Sequence, residues 1–299
     1  MAQQFELPKI RDFGELITDT FIFIRKNLVP LLKCFFIFCG FFLVAGAILS
    51  AIQQGKMINT INGVDTFRTE SRLYQTTPFT LFGVEYFLSI LFSILNYIAI
   101  HVTVYSYICL YKIKGNEPPT PEEVWGYFKF FYLKILGSGF LLCMLIIVGT
   151  LLCIIPGIYL GTVLTLVFPI MIFENTTLGY AFNRSFRLIK DNWWQTFGAL
   201  FVVWIIVYFA SMAIIAPLTI LNFSNFFLHP KGGLHISSTL TMITAILEHL
   251  SQVFYIIPLV TISLCYFSLT ERLDGFGLMD RIRQLGNNGP DNNSPVEEY

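Results

Sequence analysis

Six stretches of this chain, residues 28–53, 79–111, 131–154, 156–173, 194–221 and 243–269, are apolar over almost their whole length. A helix needs roughly 20 such residues to cross a bilayer, because each backbone polar group left unpaired in hydrocarbon costs several kcal/mol and a helix pairs them within the segment. The pattern predicts an all-α, six-span integral membrane protein, with residues 1–285 as a single transmembrane domain. The Pro156-Gly157 pair is expected to end the third span and allow a tight reversal into the fourth. With 55% hydrophobic and only 13% charged residues, the composition decides against a soluble domain of the same length.

A formal net charge of zero gives no bulk field for nucleic acid or an anionic substrate. The distribution of charge is more informative. Arg25, Lys26, Lys112, Lys114, Lys129, Lys134, Arg184, Arg187, Lys190, Arg272, Arg281 and Arg283 fall on one set of alternate connections, against Lys56, Arg68, Arg72 and Lys231 on the other. The positive-inside rule therefore puts both termini in the cytoplasm. The first 27 residues alternate charge and hydrophobicity, so the first span is expected to act as its own insertion signal. The segment 286–299, rich in Asn, Gly, Pro and acid, is expected to be a disordered cytoplasmic tail, after a short helix around residues 278–285.

Between the fourth and fifth spans lies ENTTLGYAFNRSFRLIKDNWW, residues 174–194. Leu178, Ala181, Phe182, Ser185, Phe186, Ile189 and Trp193 follow helical spacing, while Asn183, Arg184, Arg187, Lys190 and Asp191 fill the other side. Asn175, Thr176 and Thr177 are candidate caps. The N-terminal segment has the same design, with Ile10, Phe13, Ile17, Thr20, Phe21, Ile24 and Leu28 on one face. The two align without a gap, Gly14 on Gly179, Thr20 on Ser185, Phe21 on Phe186 and Asn27 on Asn192. Residues 120–134 form a looser third copy. These matches suggest two or three interfacial amphipathic helices on the cytoplasmic face, and a unit of amphipathic helix plus transmembrane hairpin repeated three times.

The segments CIIPGIYLGTVLTLVFPIMIFEN (153–175) and RSFRLIKDNWWQTFG (184–198) carry Pro156, Gly157, Pro169, Glu174, Arg184, Ser185, Leu188, Trp193, Trp194 and Gly198. This combination resembles the membrane domain of bacterial glycerophosphodiester phosphodiesterases and the stand-alone bacterial membrane proteins related to it. The resemblance implies a polytopic helical architecture in the inner membrane of a bacterial cell. It does not imply hydrolysis, because in that family the active site belongs to a separate soluble barrel that the connections here are too short to form.

The candidate functional residues are few. Arg184, Arg187 and Lys190 are placed to grip anionic headgroups or a protein partner, or only to set topology. Trp193 and Trp194 read as interfacial anchors. Asn96 and His101 are the polar residues expected deepest in the bundle, where a substrate path or an interhelical hydrogen bond would use them. Glu85 and Glu248, about 40 and 36 Å along their helices from Lys112 and Arg272 at about 1.5 Å per residue, fall at headgroup depth. Glu174 is placed to pair with Arg184 or to cap a helix. Pro30, Pro156, Pro169, Pro217 and Pro258 read as kinks. All six cysteines lie within expected spans and read as buried filler. No phosphate-binding, nucleophile-elbow or zinc-protease motif is present, and no cofactor or metal is expected.

Three functions fit these features. The first is a non-catalytic accessory, scaffold or regulatory protein acting through membrane lipids and a protein partner in the membrane. The second is a transporter of a lipid-like or amphipathic small molecule. The third is the membrane subunit of a lipid-metabolising enzyme encoded on another chain.

Overall fold

The computed structural model describes residues 6–64, 83–228 and 237–275. The expected tail at 286–299 and helix at 278–285 lie outside the described residues, as do residues 65–82 and 229–236. Six helical stretches are long and apolar enough to cross a membrane. The α-helices are α1 Phe13–Val64, α2 Val84–Ile113, α3 Pro121–Leu152, α4 Ile154–Leu164, α5 Val167–Phe173, α6 Leu178–Ile189, α7 Trp193–Leu228, α8 Ser238–Ser251 and α9 Ile256–Asp274.

The helix boundaries follow capping and proline chemistry. α3 starts at a capping box, where the Glu123 amide donates to the Thr120 hydroxyl and the Thr120 amide to the Glu123 carboxylate, with Pro121 in the first turn. The reversal between α3 and α4 turns on Cys153, which is extended at φ −168° and ψ 140°, not on Pro156-Gly157. Pro156 sits in the first turn of α4, where its missing N–H has no intrahelical partner to lose. Gly157 serves a different purpose: a Cβ there would fall 2.3 Å from Thr150 Cγ2 and 3.0 Å from its Cα, so the glycine lets α4 lie against α3.

Pro169 and Pro258 act one turn upstream of themselves. Each lacks the N–H owed to the carbonyl four residues before, and its ring crowds that carbonyl. The fourth span breaks at Thr165–Leu166, ahead of Pro169, and the sixth loosens into a 3₁₀ turn at Gln252–Tyr255, ahead of Pro258. α1 and α7 run unbroken through Pro30 and Pro217.

The N-terminal amphipathic segment is continuous with the first span as part of α1, and the 120–134 segment is likewise continuous with the third as part of α3. α1 also runs beyond the expected end of its span, since Ala51, Gly55 and Ile58 continue its buried stripe and Gly55 meets Met242 of α8. Its inward face is Leu16, Thr20, Phe23, Asn27, Leu31, Cys34 and Phe38, while Ile10, Phe13, Phe21 and Leu28 of the expected apolar face point outward. In lipid the outer face can be as apolar as the core, so hydrophobic periodicity alone does not say which way a helix faces. Here the inner face carries the polar residues: Thr20 meets Thr261 of α9 at 3.1 Å between hydroxyls, and Tyr107 of α2 donates to Asn27 at 3.1 Å.

α9 is the most enclosed helix and packs against α1, α2, α5, α6 and α7. α1 packs on α2 and α8, α3 on α2 and α4, and α7 on α8 and α9. α3 and α7 meet at most marginally, and both expose long apolar surfaces. A space opens between them.

Candidate functional site

That space is a cavity of about 1070 Å³, partly open and bounded by α2, α3, α4, α5, α7 and α9. Its lining is mainly apolar and, among the described residues, includes no Asp, Glu, Lys or Arg. The α3 and α4 walls are cut back by glycine: a Cβ at Gly137 or Gly161 would meet nothing within 4 Å. A Cβ at Gly139, by contrast, would fall 3.2 Å from Ile98 in the α2–α3 contact, and the Tyr132 hydroxyl donates to the Leu95 carbonyl at 3.1 Å. α3 is therefore held to α2 on one side and stands off the bundle on the other.

Most of the cavity's polarity comes from α2. Ser89, Ser93, Tyr97, His101 and Tyr105 all line it, and their four-residue spacing is that of one helix row. From Ser89 to Tyr105 the row extends about 24 Å along the axis, most of the roughly 30 Å hydrocarbon thickness. At one end Ser89 meets Ser50 of α1 at 2.8 Å, and Ser50 lies 3.5 Å from His249 Nε2. At the other end His101 Nδ1 is 2.8 Å from the Tyr97 carbonyl. The His101 ring stands edge-on to Tyr105 and Phe168 at 5.8 and 5.7 Å. The Tyr105 hydroxyl is fully buried and has no hydrogen-bond partner among the described residues.

The two residues singled out as deep polar candidates thus separate. His101 faces the cavity. Asn96 lies behind it, buried, donating to Gln252 at 2.5 Å with its own Oδ1 unpaired among the described residues. The sequence signal for the cavity was the polar residue at every fourth position from 89 to 105.

The far end of the bundle, where α6 lies, is organised by charge. Arg184 is buried and does not share a surface with the exposed Arg187 and Lys190. It pairs with Asp274 at the end of α9 and lies 3.5 Å from Glu174, whose carboxylate accepts from the Tyr266 hydroxyl at 2.9 Å. Burial opposes the Arg184 charge, but the hydrogen bond to Asp274 and the charges of Asp274 and Glu174 outweigh it and raise its pKa. Trp193 turns inward, stacking on Phe197 at 4.9 Å and Tyr159 at 5.8 Å, while Trp194 is 78% exposed.

A second knot at this end centres on Arg11, which sequence reasoning passed over. Its side chain is 1% exposed, pairs with Asp19 at 2.7 Å and donates to the carbonyls of Glu6, Leu7 and Lys9. Its own carbonyl accepts from Gln195 at 2.9 Å and Arg272 at 3.0 Å, and its amide donates to Ser268 at 2.9 Å. The N-terminal segment is thereby strapped across α7 and α9. Its one signal was a basic residue eight positions before an acid, too weak to distinguish from a solvated charge.

At the opposite end Glu85 pairs with Lys56. Of the six cysteines, Cys143 and Cys153 are exposed and the others buried. Among the described residues no three His, Cys, Asp or Glu side chains are grouped to hold a metal ion. No family model, curated protein or solved structure matches the chain.

Proposed function

We propose that this is a non-catalytic, multi-pass protein of the bacterial inner membrane that takes a lipid-like molecule from the bilayer into its helix bundle, with both termini on the cytoplasmic side. The observation that carries this reading is the cavity between α3 and α7. It has the volume of a small-molecule site, a mainly apolar lining with no formal charge among the described residues, and it is partly open, with exposed apolar residues such as Leu133 and Phe140 in its lining. A polar solute would lose its hydration there with few replacements, whereas a hydrocarbon chain would lose nothing. The functional role is transport of such a molecule or its presentation to a membrane partner.

A second, compatible reading is favoured by α6. Exposed Arg187 and Lys190, with the exposed Trp194 just beyond, suit a short interfacial helix that grips anionic headgroups and anchors this end of the protein as an accessory component.

The test of the first reading is the lipid that stays with the protein. Purified in mild detergent and extracted for mass spectrometry, the wild type is expected to retain a specific lipid in stoichiometric amount. Gly137→Phe with Gly161→Phe, which fill open space, should lose it while remaining monodisperse. Equal lipid content in the two proteins would contradict the reading.

A further inference from the structure

We propose that the middle of the cavity receives a flat, uncharged ring bearing carbonyl oxygens, so that the lipid held there is of the isoprenoid quinone class. This rests on the cavity being a lipid site and adds which head it takes. Tyr97 of α2, Trp204 of α7 and Tyr255 of the 3₁₀ turn all line the cavity. The Trp204 and Tyr255 rings are 5.8 Å apart, and Tyr97 lies within electrostatic reach of Tyr255 and of Cys143 on α3. Side chains from four elements therefore meet at one level. That level is midway along the row from Ser89 to Tyr105, about 12 Å from either end.

These groups are open as well as close together. Tyr97 and Trp204 are each 44% exposed, and Tyr255 is half-buried with its hydroxyl accessible. Neither hydroxyl, nor the Trp204 indole N–H, has a hydrogen-bond partner among the described residues. An indole N–H only donates and a phenol can donate, so the level offers donors set among aromatic faces. A ring carbonyl accepts from them while the ring itself packs against the aromatic side chains, offset or edge-on. A saturated chain uses neither feature. A phospholipid head would have to shed its hydration deep in hydrocarbon, and no Lys or Arg among the described residues lines the cavity to receive its phosphate. The apolar lining on either side of the level accommodates the tail.

The experiment is binding of tritiated decylubiquinone to the full-length protein in detergent. Competitors, at equal mole fraction in the micelle, are unlabelled decylubiquinone, decylbenzene, which has the ring without the carbonyls, and methyl undecanoate, which has a carbonyl without the ring. The quinone is expected to compete best, with each of the others weaker by about fivefold or more, as the loss of a hydrogen bond or of an aromatic pair gives. Tyr97→Phe with Tyr255→Phe keeps both rings and should reduce the preference for quinone over decylbenzene by about fivefold. Trp204→Leu should weaken both ring compounds more than methyl undecanoate. Equal competition by all three, or no saturable quinone binding by protein that retains a stoichiometric lipid, would overturn the quinone assignment and leave the cavity a lipid site. Quinone binding unaffected by Gly137→Phe with Gly161→Phe would overturn the cavity reading itself, and binding of no ligand by protein that retains no lipid would overturn both.

Discussion

At the α6 end of the bundle the buried basic groups sit against acids, Arg11 on Asp19 and Arg184 between Glu174 and Asp274. Along the cavity the polar groups are neutral, and the Tyr105 hydroxyl has no partner among the described residues. Both arrangements bury polarity in a largely apolar molecule, but with opposite consequences. A desolvated charge is tolerable only when paired, so the first set fixes one geometry: α6 to α9, and the N-terminal segment to α7 and α9. A desolvated neutral hydroxyl or imidazole costs much less to leave unpaired than a charge does, so the second set does not fix its neighbours in the same way. The α6 end reads as a clasp and the cavity as a receptacle.

The sharpest way to break this contrast is Arg184→Ala. Removing the guanidinium leaves Glu174 and Asp274 facing each other without a cation, which should cost about 3 kcal/mol, at the low end for a broken buried pair because both acids keep some exposure. Thermal unfolding in detergent should show a clear drop, and adding Glu174→Gln and Asp274→Asn should recover part of it. An unchanged midpoint would mean that the α6 end is not a clasp.

Next in size is Gly157→Ala, whose methyl would overlap Thr150 across the α3–α4 hairpin. It should destabilise by about 2 kcal/mol, as overpacking does. A neutral result would show that the cavity's own hairpin is loose. Tyr107→Phe should cost about 1 kcal/mol by leaving the buried Asn27 Oδ1 without its donor; no loss by the same assay would remove this α1–α2 tie from the rigid part. Smallest, and opposite in sign, is Gly137→Ala, where the new methyl meets nothing within 4 Å. Replacing a helical glycine there should raise stability by about 0.5 to 1 kcal/mol. A loss would show that α3 closes on the bundle at that level.

The six spans were legible because hydropathy accumulates over about 20 residues and needs no knowledge of neighbours. The breaks were displaced from their causes. Pro169 and Pro258 disturb the chain four residues upstream, and Pro156 is accommodated while Cys153 makes the turn. The facing of α1 was not legible, since a lipid-exposed stripe and a buried one share a composition. Arg184 illustrates the same difficulty on α6: it lies at the edge of the basic side, and only the position of Asp274, far along the chain, draws it inward. His101 stood out as a lone ionisable residue in a span, yet its meaning came from Ser89, Ser93, Tyr97 and Tyr105 along one row, and from helices the sequence could not place beside it.

The most direct test of the central claim is photo-cross-linking from inside the cavity. With benzoylphenylalanine at position 137 and irradiation in native membranes, the structure predicts a lipid-mass adduct on the intact protein, absent from the same probe position when Gly161→Phe blocks the cavity. Cross-links from position 137 only to α7 peptides, with no lipid adduct, would mean that α3 packs on α7 in the membrane and that the protein holds no lipid there.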